Sequence, residues 1–145
     1  MTRASADEAA ERVHRLAGRD PFVNLLGIEC TGGGAGFATV RMQVRAGHLN
    51  FMGTCHGGVV FALADTAFGL ASNSHGAVAA GIDAHVTYHL PAVSGDVLSA
   101  TAAEISRTRK LAVYRIDVAR ADGRLVAAFT GTVYISSRQN EAPAA

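Results

Sequence analysis

The sequence predicts an α+β fold in which an antiparallel sheet wraps around one long central helix. Residues 57–71 are apolar or small at almost every position, and only Asp65 interrupts the run. A helix that is apolar on all sides is typical of a protein interior. Residues 79–136 then contain four strand-like runs joined by turn residues, with no helical pattern between them. Strands that follow one another directly pair antiparallel, which favours the α+β class.

The elements before the central helix are a helix, a short turn and a strand. Residues 5–16 have apolar positions on one side and charged positions on the other, which predicts an N-terminal helix within residues 1–20. Asp20-Pro21 predicts a turn or short helix, and the glycine run 32–34 predicts a flexible turn. Residues 36–46 alternate between the two faces of a strand.

The elements after the central helix are strands of similar length. We predict them at 79–90, 96–106, 111–121 and 125–136. Asp122-Gly123 is a hairpin signal between the last two. Residues 1–145 are predicted to form one domain, and the polar stretch 138–145 is predicted to be a disordered tail.

Composition excludes several classes of protein. Of the 145 residues, 49% are hydrophobic and 17% are charged, which excludes a disordered chain and favours self-association. The formal net charge of +1 gives no general attraction to nucleic acid or membranes. The two cysteines form no disulfide framework, no secretory segment is visible, and the longest apolar run is too short to span a bilayer. We expect a cytoplasmic protein with neither nucleic-acid nor membrane partners.

Asp65 and the start of the central helix are the candidate catalytic features. An ionised carboxylate in apolar surroundings costs several kcal/mol unless a specific interaction compensates it. The helix begins at Gly57-Gly58, where its first N–H groups lack partners and the helix dipole favours an anion. A buried acid or base and an anion site therefore lie in one short segment, which suggests catalysis.

Two sequence motifs resemble a known enzyme family. Residues 48–58 read His-Leu-Asn-Phe-Met-Gly-Thr-Cys-His-Gly-Gly, and residues 63–67 read Leu-Ala-Asp-Thr-Ala. Together they resemble the signature of hot-dog-fold acyl-CoA thioesterases, and 72–76 and 88–91 are similar to the phenylacetate-degradation (PaaI-type) branch. The resemblance extends over residues 22–136. It implies a hot-dog fold, hydrolysis of aryl- or acyl-CoA thioesters, and homodimers, often paired into a homotetramer, with active sites at the dimer interface.

The spacing of Gly57 and Asp65 indicates a site shared by two chains. Eight residues of helix separate them by about 12 Å along the axis, too far to serve one carbonyl group within one chain. A two-fold dimer can place Asp65 of one chain opposite Gly57 of the other, and the resemblance implies the same arrangement. The Gly57 N–H would stabilise the thioester oxyanion, an interaction typically worth about 3 kcal/mol. Asp65 would act as a general base or as a nucleophile, and the sequence leaves both open.

Three further positions follow from the resemblance. Asn50 contacts or positions the attacking water or carboxylate. His56 fixes the loop and the oxyanion geometry, although a purely structural hydrogen-bonding role is equally open. Related enzymes can carry Ser or Thr near the attacking water where this chain has Gly81, so the partner that holds the water is not identified.

Two groups of residues are candidates for substrate binding. Basic residues at a strand turn could bind CoA phosphates through charge-assisted hydrogen bonds, or could simply be a solvated hairpin end. The candidate CoA-binding residues are Gly58, Arg107, Arg109 and Lys110. Apolar residues near the helix could line the acyl pocket or belong to the core, and these are Phe51, Met52, Phe61 and Phe68.

Metal binding and two other functions are the alternative interpretations. His85 and His89 lie about 13 Å apart on one strand, too far to share an ion, so we expect no metal and no cofactor beyond water. One alternative is a hot-dog 3-hydroxyacyl thioester dehydratase or hydratase that uses His56 and Asp65. Another is a non-catalytic acyl-CoA-binding protein. As a regulator it would need a DNA-binding module, and the residues before Asp20 are too few for one.

Overall fold

Six antiparallel strands form one sheet, and a long helix packs against it. The computed structural model describes residues 3–141. Its elements are α1 (Arg3–Gly18), α2 (Pro21–Leu26), β1 (Glu29–Gly34), β2 (Phe37–Gln43), a short 3-10 helix (Ala46–His48), α3 (Gly57–Asn73), β3 (Ala77–Tyr88), β4 (Val97–Arg107), β5 (Leu111–Arg120) and β6 (Leu125–Gln139). The strand order is β1-β2-β4-β5-β6-β3. The predicted α+β class and central helix are confirmed.

The core lies between α3 and the sheet. Buried residues of α3 include Leu63, Ala67 and Phe68, and they face buried residues of β5 and β6 such as Tyr114 and Phe129. Removing each large side chain of this kind from water contributes about 2 kcal/mol. The buried side of α3 therefore holds the helix against the sheet. This packing fixes the positions of the helix ends and of the side that faces away from the sheet.

One face of α3 remains open, contrary to the expectation that the whole helix is interior. Ala62, Asp65, Thr66, Gly69 and Asn73 line an open groove, and Asp65 is exposed in the single chain. These positions recur at intervals of three and four residues, so they form one stripe along the helix. Two of them, Ala62 and Gly69, are small residues that a sequence does not distinguish from core positions, yet both are only partly buried. The single chain alone therefore does not bury Asp65 as the apolar run suggested, and its burial against a second chain stays a prediction.

The glycine run 32–34 lies in β1, so the predicted flexible turn is wrong. A Cβ atom on Gly33 would lie 2.6 Å from Cγ1 of Val13, a buried residue of α1. Glycine lets α1 approach β1 closely, and the strand interior tolerates it because the helix packs directly against the backbone.

The two edges of the sheet differ in how they are covered. α1 packs against β1 at one edge. At the other edge β3 pairs with β6, and within residues 3–141 no other strand pairs with β3. Residues 80–85 of this 12-residue strand are exposed, and Ile82 is 61% exposed. A long, open strand edge with apolar side chains is a template for pairing with another chain.

The end of β6 extends further than the sequence predicted. Arg138 and Gln139 belong to the strand, and Glu141 accepts two hydrogen bonds of 3.0 Å from Arg15. The predicted disordered tail is therefore wrong for residues 138–141, and residues 142–145 lie outside the described residues. No helix within residues 3–141 is long and apolar enough to cross a membrane.

Candidate active site

The start of α3 leaves one backbone donor available. His56 is the N-cap residue, and its Nδ1 accepts a hydrogen bond of 2.8 Å from the N–H of Gly58. Within the part of the chain that the structure describes, no acceptor contacts the N–H of Gly57. This group lies at the positive end of a 17-residue helix. An anionic oxygen placed there would receive both a hydrogen bond and the favourable field of the helix.

Gly57 lies in a groove, here called the glycine groove, beside the end of β3. The lining residues include Asn50, Met52, Val60, Tyr88 and Leu90, and the cavity volume is about 340 Å³. Tyr88 donates a hydrogen bond of 3.0 Å from its hydroxyl to the carbonyl oxygen of Gly57. Tyr88 thus ties the first turn of α3 to the sheet. We did not predict this role from the sequence, because a strand residue carries no local signal of the helix end that it contacts.

Asn50 organises the loop that leads into α3. Its Oδ1 accepts hydrogen bonds from the N–H groups of Met52 and Thr54 at 2.9 and 3.2 Å, and its Nδ2 donates to the Thr54 hydroxyl at 3.0 Å. The amide nitrogen carries a second hydrogen, which could donate to a water or a substrate. Asn50 therefore lies beside Gly57 as the motif predicts, but most of its hydrogen bonds serve the loop.

Asp65 lies in a second groove, here called the aspartate groove. One wall is the open face of α3, and the other is formed by Leu16, Asp20 and Phe22 at the junction of α1 and α2. The cavity volume is about 340 Å³. Asp65 is exposed at this groove, yet surrounding protein atoms remove enough water to raise the pKa of its carboxyl above the ordinary value. Desolvation is the physical cause, because it disfavours the charged form.

The two grooves separate the two central groups of the predicted chemistry. Gly57 lines one groove and Asp65 lines the other. Both residues belong to the same uninterrupted helix, so the spacing of about 12 Å along the axis holds in the structure. One chain alone therefore does not bring the carboxylate to the helix end.

The basic turn lies at the far end of the sheet from Gly57. Arg107 ends β4, and Arg109 and Lys110 lie in the turn before β5; all three are exposed. Leu111 is opposite Tyr134 in β6, whereas Tyr88 is opposite Ala127 in the same strand. Seven residues of β6 therefore separate the two ends by about 24 Å. Within one chain, the predicted CoA phosphate contacts do not adjoin the predicted oxyanion site.

The four aromatic and methionine candidates for the acyl pocket have different surroundings. Phe61 and Phe68 lie 5.3 and 5.6 Å from the ring of Phe129, within the core aromatic cluster. Neither lines the glycine groove or the aspartate groove. Phe51 is 98% exposed, and Met52 lines the glycine groove. A pattern of aromatic residues on a helix does not distinguish a pocket from a core. Phe68 is a buried core residue, whereas Phe61 is partly buried and packs against the core.

Gly81 has a packing reason to lack a side chain. A Cβ atom at this position in β3 would lie 3.1 Å from Cε1 of Phe68, which is closer than ordinary contact. The ring of Phe68 thus lies close to the space that a side chain at this position would take.

Other reactive side chains do not form a second candidate centre. Within residues 3–141, no three residues among His, Cys, Asp and Glu are grouped as metal ligands. Burial raises the pKa of the Cys55 thiol, which disfavours the nucleophilic thiolate. That no metal or cofactor is needed stays a prediction.

Three comparisons with known proteins agree on one family. The family model described as the thioesterase superfamily matches residues 52–127. The chain is 36% identical over 124 residues to the acyl-coenzyme A thioesterase PaaI of Escherichia coli K12, covering 86% of this chain and 89% of that one. The structure of the E. coli PaaI protein from the phenylacetic acid degradation operon matches with a TM-score of 0.90 and 33% identity, covering 93% of this chain and 98% of that one.

A protein from Streptococcus mutans UA159, whose structure was solved bound to acetyl CoA, is also similar. It matches with a TM-score of 0.75 and 26% identity over 78% of this chain and 91% of that one. The family match and the structural match confirm the predicted resemblance, the predicted hot-dog fold and, at the level of the family, the predicted thioester hydrolase. The chain therefore belongs to the thioesterase superfamily and has the hot-dog fold.

Proposed function

We propose that this protein hydrolyses acyl-CoA thioesters to the free acid and CoA, and that its substrates are phenylacetyl-CoA or other aryl-CoA esters, including ring-hydroxylated ones. The observation that carries the proposal is that α3 presents a carboxylate, Asp65, in one groove and, in another, the N–H group of Gly57, which has no acceptor within residues 3–141. Thioester hydrolysis needs a group of each kind. The named activity of the E. coli relative and the acetyl CoA bound to the S. mutans protein support the choice of a CoA ester.

The site is completed by a second copy of the chain. The open edge of β3 can pair antiparallel with the same edge of a partner around a two-fold axis, which satisfies the free backbone groups of both strands. Such pairing brings the helices of the two chains side by side in opposite directions. Asp65 of one chain then faces the helix start of the other. Two such dimers would form the homotetramer.

The chemistry follows from the two groups. The thioester carbonyl oxygen accepts a hydrogen bond from the Gly57 N–H, and this bond strengthens as the oxygen becomes negative. Asp65 is ionised above its raised pKa. It either takes a proton from the attacking water, or attacks the carbonyl carbon to form a mixed anhydride that water then hydrolyses. In both routes the C–S bond breaks and CoA leaves as the thiol after protonation. Asn50 and His56 hold the loop and the helix start in position.

The direct test is the release of free thiol from a panel of CoA esters. We expect hydrolysis of phenylacetyl-CoA and hydroxyphenylacetyl-CoA, with lower kcat/KM for acetyl-CoA and for long-chain acyl-CoA. The panel also includes an enoyl-CoA ester, and loss of its enoyl absorbance without thiol release from any ester would instead indicate a hydratase. Binding of phenylacetyl-CoA without turnover would indicate a binding protein. Either result contradicts the proposed activity.

Subunit mixing tests the shared site. Asp65→Asn and Gly57→Pro each remove one half of the site, so each homodimer should be nearly inactive. When the two variants are co-expressed with different tags, half of the randomly formed dimers are mixed, and each mixed dimer has one complete site. We therefore expect about a quarter of the parent activity in the total population. Purified mixed dimers that are as inactive as the single variants would place both groups in the same chain.

The position of the CoA phosphates can be tested at the basic turn. Antiparallel pairing of β3 brings the partner's β4–β5 turn to the end of the sheet where Gly57 lies. We expect Arg109→Ala to raise KM for phenylacetyl-CoA by about tenfold, with little effect on a phenylacetyl-pantetheine ester that lacks the nucleotide. The matched variant is Arg124→Ala, an exposed arginine at the β5–β6 turn. An effect of Arg124→Ala in place of Arg109→Ala would assign the phosphates to the other hairpin.

A further inference from the structure

We infer that the junction of α1 and α2, here called the elbow and formed by Leu16, Asp20 and Phe22, is the surface that selects the acyl group, and that Phe22 contacts the aromatic ring of the substrate. This inference rests on the proposed function and adds the residues that determine its specificity. It starts from one observation. The groove that holds Asp65 is closed on its other side by these residues of the elbow.

The elbow is a defined structure and not a loose connection. Asp20 caps α2, and its Oδ1 accepts hydrogen bonds from the N–H groups of Phe22 and Val23 at 3.0 and 3.2 Å. Val23 is buried in the core, so α2 is anchored on the side away from the groove. Gly27 ends α2 in the left-handed conformation with φ of 72°. These contacts fix the direction of a helix of only six residues.

The far side of α1 is also held. Arg15 makes two hydrogen bonds of 3.0 Å to Glu141, and Arg12 lies 3.3 Å from the same carboxylate. Arg12 also donates a hydrogen bond of 2.8 Å to the carbonyl oxygen of Ser74, directly after α3. The end of β6 and the end of α3 thus hold α1 against the body of the protein. The groove wall that α1 contributes through Leu16 is correspondingly fixed.

The side chain of Phe22 lines the groove. It is 52% exposed, although the next residue is buried. Together with Leu16 and Leu70 it supplies the apolar part of the lining. The polar part includes Asp20, Thr66, whose hydroxyl donates to the carbonyl oxygen of Ala62, and Asn73, whose amide bonds Gly69 and Ala79. Apolar walls with a few polar groups are typical of small-molecule sites. An aromatic side chain at such a wall favours an aromatic ligand through offset or edge contacts.

The dimensions favour a compact acyl group. Asp65 and Asn73 are eight residues apart on α3, so the groove extends about 12 Å beyond the reacting carboxylate. Its volume of about 340 Å³ is at the lower end of ligand sites in proteins. A single aromatic ring on a short linker fits this length with its carbonyl at Asp65. A long acyl chain would extend past the elbow into solvent and gain little from it.

The test compares Phe22→Ala with a matched control on the same helix. Leu25 is 73% exposed and does not line the groove, so Leu25→Ala removes a similar amount of apolar surface elsewhere on α2. The measured quantity is the ratio of kcat/KM for phenylacetyl-CoA to kcat/KM for acetyl-CoA. We expect Phe22→Ala to lower this ratio by about tenfold or more, because only the larger acyl group reaches the elbow. Phe22→Leu should retain an intermediate ratio, and Leu25→Ala should retain the parent ratio.

The outcomes separate this inference from the proposed function. If the parent releases no thiol from any CoA ester, the proposed function fails. If the parent is active and Phe22→Ala keeps the parent ratio, the proposed function stands and the elbow is not the selecting surface. If Leu25→Ala lowered the kcat/KM ratio as much as Phe22→Ala, the inference would also be overturned. Such a result would show that the substitutions act by destabilising α2 and not by removing a contact with the substrate. Circular dichroism and Tm of each variant identify any loss of folding.

Discussion

Replacement of Asp65 by asparagine is expected to lower kcat for phenylacetyl-CoA by about 10²–10⁴-fold with little change in KM. Asparagine has nearly the same shape, so the groove and the helix should be preserved. Its amide, however, neither accepts a proton from water nor attacks a carbonyl carbon. Single-turnover thiol release measures the chemical step directly. The matched control is Asp117→Asn on β5, an exposed carboxylate that pairs with Arg115 at 3.1 Å, and it should retain the parent kcat.

The pH dependence of activity and of stability tests the role of Asp65 in a second way. Desolvation raises the pKa of Asp65, so the parent should lose activity as the pH falls through a value above the ordinary 3.8 of an aspartate. A carboxyl with a raised pKa in the folded state is costly when ionised. Asp65→Asn should therefore be more stable than the parent at neutral pH, and this difference in Tm should disappear below the ordinary pKa. An Asp65→Asn variant with the parent turnover would remove Asp65 from the chemistry.

Replacement of Gly57 by proline is expected to lower kcat by about 10²–10³-fold, the typical loss when one oxyanion donor is removed. Gly57 is the first residue of α3, where proline is readily accepted because its missing N–H has no partner within the helix. The preceding residue, His56, has φ of −58° and ψ of 134°, which suits a residue before proline. The substitution thus removes the proposed donor while α3 and its cap are kept. Circular dichroism and the Tm should show an intact fold.

The control for Gly57→Pro is Gly57→Ala, which keeps the N–H. The added Cβ atom would lie 3.4 Å from Cζ of Tyr88, an ordinary contact distance. We expect Gly57→Ala to retain most of the parent kcat. If alanine and proline cause the same loss, the groove rejects any added atom and the role of the donor is not supported. If proline retains the parent kcat, the N–H of Gly57 does not stabilise the oxyanion.

Strong local patterns made most of the fold predictable. The run of apolar and small residues in α3 and the alternation in β2 each extend over most of the element, and each predicted helix and strand corresponds to an observed one within a few residues. β1 was missed because its three glycines lack the side chains that show alternation. Their place in a strand depends on Val13 of α1, a contact between distant elements. The open face of α3 was missed because alanine and glycine look the same in the sequence whether or not another element covers them.

The sequence predicted the central residues of the candidate site, but not the residues from other elements that surround them. The motif spacing placed Gly57 and Asp65 on one helix, and the structure agrees. The roles of Tyr88 at the helix start and of Phe22 at the groove wall depend on how a strand end and a short helix pack against α3. No local period encodes such contacts. For the same reason the sequence could not separate Phe68, which lies in the core, and Phe61, which packs against it, from Met52, which lines a groove.

The uncovered edge of β3 couples abundance to turnover in the proposed enzyme. A chain that contributes its carboxylate to a neighbour and borrows that neighbour's helix end has no independent catalytic unit. The specific activity of the enzyme then falls when the chain is diluted below the dissociation constant of the dimer, because the dimer separates into incomplete halves. Ile82 contacts no reacting atom in this scheme. A substitution there that weakens the pairing of two β3 edges would nevertheless lower activity, because fewer chains would be in dimers.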